Sequence, residues 1–161
     1  MENRLRIGTG IDAHGFEDGR ELIIGGIKLN HPRGLAGHSD ADVLIHAIVD
    51  ALLGACGKGD IGVHFPSSDP RWKGKSSMEF LTWTRDELKR SGIRILSIDS
   101  VIVAQEPVMR PYIEPMREKM ARALDIETSR LAVKATSTDH LGFVGRKEGI
   151  ACQAVALVLL P

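Results

Sequence analysis

A chain of 161 residues is long enough to bury one sizeable core and short for two, so 1–161 reads as a single domain. Its 21 basic and 21 acidic residues cancel, which argues against the basic footprint of a nucleic-acid binder or a membrane-seeking face. Cys56 and Cys152 match no zinc or redox spacing, and neither MENRLRIGTG nor the apolar run from Ile150 to Pro161 is a signal core or a membrane span, so a cytoplasmic location is expected.

In chain order, Leu5 to Asp12 alternates as a strand, and Glu21 to Leu29 forms a second, bent at Gly25-Gly26. The stretch HSDADVLIHAIVDALLG then predicts a helix from about Asp40 to Cys56, with Ser39 as N-cap and Asp42 three residues on, as in a capping box. The helix is apolar nearly all round and therefore buried. Residues 60–70 read as a loop, with Pro66 and Pro70 excluding regular structure. Ser76 or Ser77 caps a second helix that Gly92 ends, and a long strand follows from Ile93 to Gln105. Pro111 starts a third helix reaching Leu124, and Leu131–Ala135 and Gly149–Leu159 are the last strands. The order gives an α+β fold, a mixed sheet covered on one face by helices. The apolar final strand predicts that neighbouring subunits bury the other face.

Two patterns carry chemistry. Asp12 and His14 are two apart at the end of a strand and point to the same side. Asp42, His46 and Asp50 recur at four-residue steps on the first helix, which reads as a solvated stripe, as a satisfied core histidine, or as part of a metal centre. Asp12, His14 and His46 together make three ligands with a fourth position open, the pattern of a catalytic zinc site. Manganese, cobalt and iron remain alternatives. Asp50 is then a candidate acceptor behind a ligand imidazole. No nucleophile elbow, Walker loop or dinucleotide fingerprint occurs, so any nucleophile is water or part of the substrate. The second half holds KATSTDHLGFVGRKEG, in which Thr136, Ser137 and Thr138 are either an ordinary hydroxyl-rich turn or a phosphate site, and Asp139 is able to hold a hard cation.

HSDADVLIHA, the early D-x-H, GDIGVHFPSSDPRWKG, AQEP and KATSTDHLGFVGRKEGIA, in this order, resemble the 2-C-methyl-D-erythritol 2,4-cyclodiphosphate synthase family from about Arg6 to Leu159. The resemblance implies a homotrimer of single catalytic domains with active sites between adjacent subunits. It implies a phosphorus–oxygen lyase that converts 4-diphosphocytidyl-2-C-methyl-D-erythritol 2-phosphate to the cyclic diphosphate and CMP. Zinc, or another divalent transition metal, would sit on Asp12, His14 and His46, and magnesium or manganese would arrive with substrate on Asp139. His38, Thr138 and Asp139 match catalytic positions. His38 and Ser39 also match a phosphate-contacting loop, Asp60, Gly62 and Ser67 the methylerythritol side, and Ala104, Pro107 and Met109 a cytidine pocket. Thr136, Ser137 and Thr138 match diphosphate contacts, while Phe143, Arg146 and Glu148 match a trimer-axis cavity for an isoprenoid diphosphate. The chain departs from the family pattern at Ser67 and Asp139, where Asp and Glu are common, at Lys75-Ser76, and at Val108, where a basic residue is frequent. His31, His64 and His140 read as surface or loop residues and not ligands.

Overall fold

The structure is a computed structural model that describes residues 4–161. In chain order it comprises β1 (Leu5–Asp18), β2 (Leu22–Ile24), β3 (Ile27–Leu29), β4 (Arg33–Leu35), α1 (Val43–Ala55), α2 (Ile61–His64), α3 (Ser77–Arg90), β5 (Arg94–Val103), α4 (Ile113–Leu124), β6 (Leu131–Thr136), α5 (Gly142–Gly145) and β7 (Gly149–Leu159). Five strands form one sheet in the order β4-β1-β7-β5-β6. β1 runs antiparallel to β7 from Leu5 opposite Leu159 to Gly15 opposite Gly149. β5 is antiparallel to β7 but parallel to β6, which makes the sheet mixed, and α4 supplies the crossover that a parallel pair requires.

One face of the sheet carries the helices. Val43, Leu44, Ile45, Ile48, Val49, Leu52 and Leu53 of α1 are all fully buried, and the helix lies across β1 and β7. On the opposite face Ile7 and Ile11 of β1 are 71% and 74% exposed in the single chain. No helix among the described residues is long and apolar enough to cross a membrane.

Several boundaries differ from the sequence reading. β1 runs on to Asp18 because the short β4, which the sequence did not announce, pairs with its end. Residues 21–29 form a hairpin and not one bent strand, since Gly25 and Gly26 take φ values of +58° and +72°, the left-handed pair of a tight two-residue turn. The first helix begins at Val43 because Ala41 sits at φ +56°, outside helical geometry. Its N-cap is therefore Asp42, which accepts the Ile45 N–H, and not Ser39. Inside the expected loop, Asp60 caps the single-turn α2 and Asp69 caps a 3-10 turn over Pro70–Trp72. Ser76 is the cap of α3, as one of its two expected candidates. A 3-10 turn over Arg110–Tyr112 absorbs Pro111, so α4 starts two residues late, with Pro115 in a first turn that needs no donor there.

Candidate metal centre

Asp12 and His14 project from the same side of β1, and His46 comes down from α1 to meet them. The Asp12 Oδ2 lies 2.7 Å from His14 Nε2 and 3.0 Å from His46 Nδ1, and the two nitrogens are 3.3 Å apart. Ligand atoms around a tetrahedral zinc stand roughly 3.3 Å apart at the usual bond lengths, so this triangle needs to open by only a few tenths of an ångström. Among the described residues these three alone form such a cluster.

Hydrogen bonds around the triangle prepare its lone pairs. His14 Nδ1 donates to the Ala36 carbonyl at 2.8 Å, so in the neutral ring that a metal would bind the lone pair is on Nε2, the nitrogen facing the centre. Asp12 Oδ1 accepts the Ala13 N–H at 3.0 Å, leaving Oδ2 for the site. His46 Nε2 lies 2.9 Å from Ser77 Oγ and 3.3 Å from Ser39 Oγ. Burial alone would raise the Asp12 carboxyl, but the bonds and charge of His14 and His46 outweigh it and hold its pKa well below the usual range. Burial opposes the charged form of His14, yet the bond to Asp12 prevails and raises its pKa. The set fits a divalent ion with one position left open.

The stripe of Asp42, His46 and Asp50 does not act as a unit. Asp42 is fully buried and its oxygens take the N–H groups of Gly25, Gly26 and Ile45. Asp50 accepts the Ile61 N–H at 2.7 Å and is not the acceptor behind a ligand imidazole. Ser77 takes that place for His46, and Ser77 Oγ in turn donates to the Asp40 carboxylate in a short contact. Sequence reasoning missed both residues, having treated Ser77 only as a possible cap.

A cavity of about 220 Å³ opens beside the triangle, lined by His14, His38, Ser39, His46, Ile61, Gly62, Phe65, Ser67, Trp72 and Phe80. It gathers the expected His38, Ser39, Gly62 and Ser67 and adds an aromatic wall. Asp60 is exposed and is not among the lining residues; one carboxylate oxygen accepts the Val63 N–H. Ala104, Pro107 and Met109 lie elsewhere, after β5; Ala104 and Met109 are buried and the Glu106–Pro107 peptide is cis. Ala104 N donates to Thr136 O, joining that loop to the end of β6. Beside it Arg110, Ile113, Glu114 and Ala135 line an open groove.

Thr136, Ser137, Thr138 and Asp139 line no part of the cavity within one chain. Thr138 Oγ1 donates to Leu141 O at 2.7 Å, and Ser137 Oγ to the exposed Asp139 at 3.3 Å. Phe143 is 43% exposed, and Arg146 pairs with Glu148 at 2.9 Å. His31 lies in the loop between β3 and β4, as expected, but is not on the surface: its ring stacks on Phe16 with centroids 4.9 Å apart, while Nε2 meets Glu106 at 3.2 Å.

An α+β fold with a carboxylate and two imidazoles converging beside a walled cavity defines an enzyme organised around a candidate metal centre. The profile of the YgbB family matches residues 5–159, and the chain belongs to that family. It is 54% identical over 154 residues to the 2-C-methyl-D-erythritol 2,4-cyclodiphosphate synthase of Pelotomaculum thermopropionicum, covering 96% of this chain and 95% of the relative. Among solved structures, the Plasmodium falciparum IspF–CDP complex superposes with a TM-score of 0.86 at 31% identity, over 99% of each chain. The bifunctional IspDF of Campylobacter jejuni superposes with a TM-score of 0.93 at 38% identity, over 98% of this chain and 42% of that longer one. The activity is that of a 2-C-methyl-D-erythritol 2,4-cyclodiphosphate synthase, a lyase of the non-mevalonate isoprenoid pathway.

Proposed function

We propose that the chain closes the ring by intramolecular attack. The 2-phosphate of 4-diphosphocytidyl-2-C-methyl-D-erythritol 2-phosphate adds to the β-phosphorus, the bond to the α-phosphate oxygen breaks, and CMP leaves. No protein nucleophile is required, so the chain's work is orientation and charge neutralisation. Folding the substrate so that its two ends meet contributes roughly 7–11 kcal/mol, if the effective-molarity range for intramolecular reactions applies. Asp12, His14 and His46 would hold zinc, or another divalent transition metal, which supplies Lewis acidity at the β-phosphate. His38 and Ser39, on the cavity wall next to that centre, orient the attacking phosphate. Asp60, Gly62 and Ser67 receive the methylerythritol portion.

Ala104, Pro107 and Met109 would read the cytosine, as a nucleotide pocket suited to the CDP found on the Plasmodium relative. Thr136, Ser137 and Thr138 would contact the diphosphate, and Asp139 would hold the magnesium or manganese that arrives with it. Since these residues line no part of the cavity in one chain, we assign them to a site completed across a homotrimer interface. The exposed apolar side chains of Ile7 and Ile11 support burial of that sheet face by neighbouring copies. Phe143, Arg146 and Glu148 would then face the trimer axis, where the Arg146 guanidinium, paired with Glu148 in the single chain, would suit an isoprenoid diphosphate. The location is cytoplasmic.

The observation that carries the reading is the convergence of one ligand atom each from Asp12, His14 and His46 on a common point. Phosphorus NMR of the protein with the diphosphocytidyl substrate tests it. Cyclic diphosphate and CMP are expected. Linear hydrolysis products would mark a phosphohydrolase that uses water, and unchanged substrate a binding protein without turnover.

A further inference from the structure

We infer that Ser77, backed by Asp40, is a positioning residue for the metal centre that fixes which nitrogen of His46 faces the ion. The inference rests on the metal reading above and extends it to two side chains outside the triangle.

Ser77 is the first residue of α3 and is fully buried. Its hydroxyl has one hydrogen, and an ionised carboxylate only accepts, so the short contact with Asp40 commits that hydrogen to Asp40. What Ser77 Oγ presents to His46 Nε2, 2.9 Å away, is then a lone pair, and Nε2 must carry the proton. A neutral imidazole protonated at Nε2 has its free lone pair on Nδ1. That is the nitrogen 3.0 Å from Asp12 Oδ2 and 3.3 Å from His14 Nε2.

Asp40 is itself held in place. Its carboxylate also accepts the N–H groups of Ser77 at 3.0 Å and Asp42 at 3.2 Å, and its own N–H donates to Lys75 O. The charge therefore sits at the amino-terminal end of α3, where the helix dipole favours it. Ser39 Oγ is a longer acceptor for His46, at 3.3 Å, and already takes the Ala41 N–H. The two imidazoles thus reach the centre through opposite ring nitrogens. A backbone carbonyl orients His14, which mutation cannot delete, whereas His46 depends on a side chain.

Metal-free protein is titrated with zinc against a competing chelator, and with cobalt(II) to read its visible absorption. The unaltered chain is expected to bind one equivalent, which His46→Ala loses. Ser77→Ala is expected to bind the ion 10–100-fold more weakly and to shift the cobalt bands, with metal-free circular dichroism unchanged. Asp40→Asn is expected to weaken binding in the same direction. Parent affinity and parent cobalt bands in Ser77→Ala would overturn the inference while leaving the metal reading intact. No binding by the unaltered chain would overturn the metal reading itself, and this inference with it. Nitrogen-15 NMR of the zinc-loaded parent gives a result independent of any variant's folding: His46 is expected to be protonated at Nε2, and zinc on Nε2 would refute the assignment.

Discussion

A β-carbon built on Gly10 would stand 2.0 Å from the backbone oxygen of Ala47, so the main chains of β1 and α1 touch directly where they cross. Gly8 makes the same approach to Ala51 one step earlier. Two residues past Gly10 comes Asp12, and Ala47 adjoins His46. The contact that packs the helix on the strand therefore also sets the distance across the metal centre.

Gly10→Ala forces backbone against backbone and has no flexible side chain to displace. A loss of about 3 kcal/mol, the upper end for overpacking, is expected in urea unfolding, together with weaker zinc binding as α1 is pushed from β1. Gly54 lies in the same helix, exposed, and the nearest atom to a β-carbon there is Thr9 O at 3.8 Å. Gly54→Ala is expected to stabilise by about 0.5–1 kcal/mol and to leave binding unchanged. A Gly10→Ala variant as stable as the parent, with parent zinc affinity, would show that the two main chains do not touch at this crossing.

Asp42 supplies the pH dependence. Burial, opposed by the N–H of Gly26 and reinforced by the charge of Asp40, pushes its carboxyl up to about 6. The folded state then holds this proton more tightly than the unfolded chain, whose carboxyl titrates near 3.8. Its favourable contribution is complete below pH 3.8 and is lost as pH rises to about 6. Asp42→Asn does not titrate, so the difference between the two proteins isolates Asp42 together with its coupling to Asp40. Relative to this variant, the parent is expected to lose about 3 kcal/mol between pH 3.8 and 7 in urea unfolding. A gap that does not move with pH would show an Asp42 that titrates normally.

Chelation should stop turnover without unfolding the chain. Asp12, His14 and His46 are already held by Ala13, Ala36, Ser77 and one another. Circular dichroism of chelated protein is expected to match that of the loaded form. Zinc at a hundred times its dissociation constant is expected to add about 2.7 kcal/mol to stability. Collapse of the fold on chelation would make the ion structural.

How much of this was readable beforehand depends on sequence distance. The apolar run of Gly149–Leu159 and the near-continuous apolarity of α1 are local signals; the strand falls where its signal put it, and the helix does so except for its first turn. Asp12 and His14 sit two apart on a strand, so their convergence was visible too. Asp42 was misread because the capping-box rule picks Ser39, and only the left-handed backbone at Ala41 and the distant Gly25-Gly26 turn decide otherwise. The Ser77–His46 contact joins residues 31 apart, and no spacing rule announces it. Elements as short as β4 and α5, of three and four residues, carry too few side chains to show a period.

Ile7 separates the single chain from the assembly. Its side chain is 71% exposed on the sheet face away from the helices, so in an isolated chain Ile7→Asp changes little beyond surface polarity. In a homotrimer built on that face, three carboxylates enter an apolar seam without partners, each at a cost of several kcal/mol. Light scattering after size exclusion is expected to show a trimer for the parent and monomers for Ile7→Asp. Turnover is expected to fall with the trimer, since the segment 136–139 lines no part of the cavity within one chain. A fully active monomeric variant would place the whole site within a single chain.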